Sequence, residues 1–212
     1  VVQKNKPLTS ENAKIVLFRD SKTAQYQDLG GRIDDPQIEK SSPSIDKDIL
    51  FNNAKKESYE ESSCLFEIVN ATDNFIDVES QVENVFYRIH LYVIQIDNVN
   101  QLTTIFNQNR MKIMEDYSGV FKNNKSYKET DDLKLFDLLT FTNKLKSYGN
   151  ETMNISNGVF LSTDGMNYNV SGRTMKVISS IDPVNMFNNV INTSSIKTPV
   201  VVKKNVFDTL QF

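Results

Sequence analysis

The chain has 212 residues, is 39% hydrophobic and 24% charged, and carries a formal net charge of −3. This is a globular composition sized for one core, and its slight negative balance excludes the overall basic field that drives non-specific nucleic-acid binding. A single cysteine (Cys64) and a single histidine (His90) exclude an internal disulfide and a closed Cys/His zinc site. Cys64 reads as a small buried thiol. No apolar run approaches the roughly 18 residues of a membrane span, and the opening VVQKNKPLTS has no apolar leader. A cytoplasmic, intracellular location with no membrane partner is therefore expected. Six N-x-S/T sequons fall in a chain with 24 asparagines and read as chance in the absence of a leader.

In chain order, AKIVLF (13–18) reads as a short buried strand. RDSKTAQYQDLGGRIDD follows as a turn, a short extended piece and a loop around Gly30-Gly31. DPQIEKSSPSIDK (35–47), with two prolines and three serines, reads as an exposed loop. A helix is predicted from an Asp48 N-cap to about Ser62, with Leu50, Phe51, Ala54 and Ser58 facing inward. CLFEIV (64–69) and FIDVES (75–80) read as strands. NVFYRIHLYVIQID (84–97), rich in β-branched and aromatic residues, reads as one long strand at the centre of a sheet. A helix over 103–117, a strand over 133–136 and a helix over 137–149 ending at Gly149 come next. Residues 150–172 read as a hairpin or loops, 173–191 as helix broken at Pro183, and the VVV of the tail as strand. No internal repeat is present. Strands and helices alternate without strict βαβ order, so the fold class is α/β with a mixed sheet.

The predicted helix at 48–62 carries Glu57, Glu60 and Glu61 at i, i+3 and i+4, on one face. Like charges at this spacing repel by a few tenths of a kcal/mol per pair when exposed. Hard divalent cations relieve that repulsion, because Mg²⁺ and Mn²⁺ take carboxylate oxygens. Taken alone, KKESYEE reads first as a solvated helix surface.

The order strand, glycine loop, glutamate helix, strand resembles the Nudix hydrolase family. The family's box runs Gly, five residues, Glu, seven residues, then Arg-Glu-apolar-x-Glu-Glu-x-Gly-apolar. Asp48 stands at the first glutamate, ILFNNAK fills the seven-residue gap, and Lys56-Glu57-Ser58-Tyr59-Glu60-Glu61-Ser62-Ser63-Cys64 follows. The departures are sixteen residues between Gly31 and Asp48, Lys56 for the arginine, Ser58 for the apolar residue and Ser63 for the last glycine. Lysine supplies charge without the planar fork of arginine. The match spans about residues 10–148.

The resemblance implies one Nudix-like α/β/α sandwich over 1–212, with an insertion at 35–47 and a C-terminal extension from about 150. It implies metal-dependent hydrolysis of a phosphoanhydride in a nucleoside-diphosphate-linked or related substrate. Mg²⁺ or Mn²⁺ would be held by Gly30, Glu57, Glu60 and Glu61, and one of these glutamates or Glu129 would be the base. Glu115 is the rival to Glu129. Arg32 and Lys56 are candidates for substrate phosphates, and Arg88, with His90 and Tyr92, alternates onto one strand face that either lines the pocket or is simply covered. Nucleotide sugars, dinucleoside polyphosphates, inositol pyrophosphates and capped RNA all offer the same bond. The asparagine-rich, insertion-bearing character is similar to Nudix proteins of large DNA viruses, some of which remove RNA caps. Lys56 and Ser58 also fit a second expectation, a catalytically weak or inactive Nudix-fold binding or scaffold module.

Overall fold

A computed structural model describes residues 1–31, 47–68, 75–82, 85–116, 119, 121, 123–149, 155–193 and 200–202. The candidate Arg32 and all but the last residue of the 35–47 segment lie outside these.

Strand β1 (Val2–Gln3) leads into β2 (Lys14–Asp20) and β3 (Tyr26–Gln27). Helix α1 (Lys47–Glu61) is followed by β4 (Phe66–Ile68), β5 (Phe75–Val82), β6 (Val85–Tyr92), β7 (Gln95–Ile96) and α2 (Gln101–Met114). A 3₁₀ turn (Lys125–Lys128) precedes β8 (Thr130–Asp137) and α3 (Leu138–Ser147). The chain continues through β9 (Asn157–Leu161), β10 (Asn167–Ser171), α4 (Gly172–Ser179), α5 (Pro183–Thr193) and β11 (Val200–Val202).

The α/β class and the mixed sheet are present. Five strands lie in the order β8-β2-β3-β10-β9, with β3 parallel to β10 and the other neighbours antiparallel. β2 sits inside this sheet because both its faces are apolar, as a strand covered on two sides requires. Val16 and Phe18 join a core with Leu133, Leu135, Leu102 and Phe106, so α2 covers that face. Leu17 and Phe136 turn the other way, onto Phe141 and Leu145 of α3 and Met175 of α4. Helices thus pack on both faces. At the end of the β2–β8 ladder Lys14 pairs directly with Asp137, and at its other end Arg19 Nε donates to Asp131 Oδ1 at 2.6 Å.

The segment 84–97 is not one central strand. β6 pairs only with β5 among the described residues, and β7 pairs with β1. Between them Val93 and Ile94 leave the ladder and bury their side chains, while the Ile94 carbonyl accepts from Val2 N–H at 2.8 Å. Composition marked the segment as extended, but ladder position depends on partners far along the chain. The central role belongs to β2.

Smaller differences follow from local chemistry. Asp48 lies within the first turn of α1, where its charge complements the helix dipole, and is not the N-cap. Pro183 begins α5 and does not merely break a helix, since a first-turn residue needs no N–H partner. Gly149 follows α3 at φ +53°, as expected of a left-handed helix end. The hairpin expected after residue 150 forms as β9–β10 and extends the main sheet.

Candidate functional site

The C-terminal end of α1 is buried although its sequence is polar. Glu60 and Glu61 are 6% and 4% exposed, and Ser62, Ser63 and Cys64 are buried behind them. The helix stops in a Schellman arrangement: Ser63 N–H bonds to Glu60 O at 3.1 Å and Cys64 N–H to Tyr59 O at 2.8 Å. Ser63 takes φ +52°, a conformation that favours glycine, and it stands where the Nudix box has its last glycine. Thr130 Oγ1 donates to the Glu61 carbonyl, which ties this helix end to the start of β8.

The loop after β3 comes back onto the same end. Gly30 N–H donates to Glu61 Oε2 at 2.8 Å, joining residues 31 positions apart. A Cβ on Gly31 would stand 2.4 Å from the Glu57 carboxyl carbon, whereas a Cβ on Gly30 meets nothing within 4 Å. Both glycines are thus required in the protein, Gly31 by the Glu57 carboxylate lying against it and Gly30 by its φ of +159°.

Burial raises the Glu61 carboxyl from its ordinary value of 4.5 to about 8. The Gly30 N–H opposes this rise, the nearby Glu57 and Glu129 charges add to it, and the Arg173 guanidinium opposes it. Glu129 follows the 3₁₀ turn, 4.0 Å from Lys22 Nζ. Of the two rival downstream acids, Glu129 lies near Glu61, while Glu115 is exposed at the end of α2.

Glu60 belongs to different surroundings. Its Oε1 accepts from Asn124 Nδ2 at 3.1 Å, and its buried Oε2 has no hydrogen-bond partner. Cys64, Phe121, Tyr59 and Tyr127 pack together, and Cys64 and Tyr127 lie within reach of its charge. Burial, with the charges of Glu60 and Glu67, pushes the Cys64 thiol up to about 12 against the pull of a Tyr59 hydrogen bond, so it is an inert thiol at neutral pH.

The other candidates are dispersed. Lys56 is exposed. Arg88, His90 and Tyr92 share one face of β6, which α1 covers: the His90 ring lies 5.7 Å from Phe51, and Tyr92 packs on the same core as Phe51. Sequence reasoning missed Asp28, Asn124, Arg173 and Thr174. Asp28 stands in the quoted loop, but its partners lie 145 and 146 residues away, so no local signal marked them.

Among the described residues, no three His, Cys, Asp or Glu side chains stand together so that they could hold a metal ion. No helix among them is long and apolar enough to cross a membrane. No family model, curated protein or solved structure matches this chain.

Proposed function

We propose that the chain is a metal-dependent Nudix-type pyrophosphohydrolase acting on a nucleoside-diphosphate-linked or related substrate, of which an RNA cap is one form. The observation that carries this reading is the Gly30 N–H to Glu61 Oε2 contact at 2.8 Å. It joins the two halves of the box across a sixteen-residue separation that a chance resemblance gives no reason to close.

The donor set fits Mg²⁺ or Mn²⁺. Glu61 is buried among like charges with one backbone donor, and the bare Gly31 leaves a cradle over the Glu57 carboxylate. Mg²⁺ keeps several waters and takes only one or two carboxylates, so a pair suffices even though no group of three or more is found among the described residues. Glu57 and Glu61 would hold the ion, with Gly30 beside them. When bound, a divalent cation supplies polarisation of phosphoryl oxygens and a more acidic attacking water. Glu129 is the nearby carboxylate left to accept that water's proton as the new P–O bond forms and the anhydride P–O bond breaks. Open space beside Gly30 lets the diphosphate approach the backbone there.

A second reading, a binding module of the same fold, is favoured by exposed Lys56 and the absence of a group of three or more potential metal ligands among the described residues. A release assay separates the two. Nucleotide sugars, dinucleoside polyphosphates and capped RNA are incubated with Mg²⁺ or Mn²⁺, in wild type and Glu61→Gln. Turnover lost in the variant supports hydrolysis. No turnover on any compound, with Mn²⁺ binding unchanged in Glu61→Gln, sinks it.

A further inference from the structure

The box arginine has no working counterpart on α1, where position 56 is an exposed lysine. A guanidinium does reach the site from the far end of the chain. Arg173 Nη2 donates to the backbone oxygen and to Oδ1 of Asp28, at 3.2 Å each. Thr174 Oγ1 donates to the same Oδ1 at 2.6 Å and accepts from Asp28 N–H at 3.2 Å. Thr174 is itself set by Ser171, whose Oγ accepts from its N–H at 3.2 Å at the start of α4. The N–H, carbonyl and carboxylate of Asp28 are thus all engaged by two consecutive residues of one helical turn. Two positions on, Gly30 meets Glu61. Arg173 and Glu61 also lie within reach of each other's charge, each favouring the ionised form of the other.

We infer that Arg173 is a positioning residue of this site: with Thr174 it clamps Asp28, holds the Gly30-Gly31 backbone against Glu61 and Glu57, and delivers from α4 the guanidinium that the box would carry at position 56. The C-terminal segment is then a wall of the site and not an appendage. The catalytic consequence rests on the hydrolase reading; the clamp does not.

Two measurements on the full chain test this. Amide hydrogen exchange at Gly30 reads the clamp directly. In Arg173→Met and Thr174→Val it should quicken by about tenfold or more, with exchange in the β2–β8 ladder unchanged, and Arg173→Lys should lie between. Gly30 exchange unchanged in Arg173→Met overturns the inference whether or not the protein is an enzyme. Steady-state hydrolysis of the best substrate reads the consequence. Misplaced groups cost rate, so kcat should fall by about tenfold to a hundredfold in Arg173→Met while KM stays within about threefold, with partial recovery in Arg173→Lys. A rise in KM at constant kcat would make Arg173 a substrate ligand and overturn the positioning role. If the wild type turns over no substrate, the hydrolase reading fails and Gly30 exchange alone decides the clamp.

Discussion

Glu60 and Glu61 are adjacent on α1 and almost equally buried, yet they face different worlds. Glu61 meets the Glu57 carboxylate of its own helix and a backbone N–H, a carboxylate and an arginine that come from three other parts of the chain. Glu60 meets an asparagine and lies within charge reach of Cys64 and Tyr127, which pack in an aromatic cluster. About 100° of helix rotation separates neighbouring side chains, which is enough to send one into a charged cleft and the other into an apolar one. A run of glutamates therefore does not make a uniform site. The tertiary neighbours decide which carboxylate meets a backbone donor and other charges and which is held by a single amide.

The widest test of that contrast is activity. Glu61→Gln should lower Mn²⁺-dependent kcat/KM by about a thousandfold, and Glu60→Gln by no more than about tenfold. Equal losses in steady-state assays would break the distinction.

Stability against pH gives the next effect. Glu61 has a folded value of about 8 against 4.5 when unperturbed, so between these pH values the unfolded chain releases a proton that the folded chain retains. Metal-free stability is then full below pH 4.5 and falls as pH rises to about 8. The contribution lost from Glu61 is about 5 kcal/mol. Urea denaturation at several pH values should show this slope in wild type, its removal in Glu61→Gln, and its reduction by Mn²⁺.

On the other side of the helix, Asn124→Leu removes the amide that donates to Glu60 Oε1 and should cost about 1–3 kcal/mol in the same denaturation assay, with little change in Mn²⁺ affinity. Gly31→Ala should do the opposite. The added Cβ would displace the flexible end of Glu57, so activity should drop about tenfold while thermal stability changes little. The smallest expected effect is Ser63→Gly, which relieves a left-handed backbone and removes a buried hydroxyl without a partner. It should raise stability by about 1 kcal/mol and leave hydrolysis unchanged.

Much of the local structure was legible in residue patterns. The two-sided apolar run of β2, the helix carrying the glutamates, the Gly149 stop and the β9–β10 hairpin each follow from side-chain periodicity or turn chemistry within a few residues. The fate of 84–97 was not legible, since β6 and β7 were separated by partners at Val2 and across the β5 hairpin. Nor was the role of the C-terminal third. RTMK at 173–176 reads as an ordinary helix start until α4 packs beside the glycine loop.

By itself, then, the sequence determined which short stretches are helix or strand and placed three glutamates on one helix after a glycine pair, because those properties depend on spacings of a few residues. Only the tertiary structure decided that Gly30 meets Glu61, that Gly31 is the glycine with no room for a side chain, that Glu60 turns away toward Asn124, and that Arg173 arrives where Lys56 does not. These contacts link residues 26 to 146 positions apart. They are set by how the sheet stacks its helices, which no local periodicity encodes.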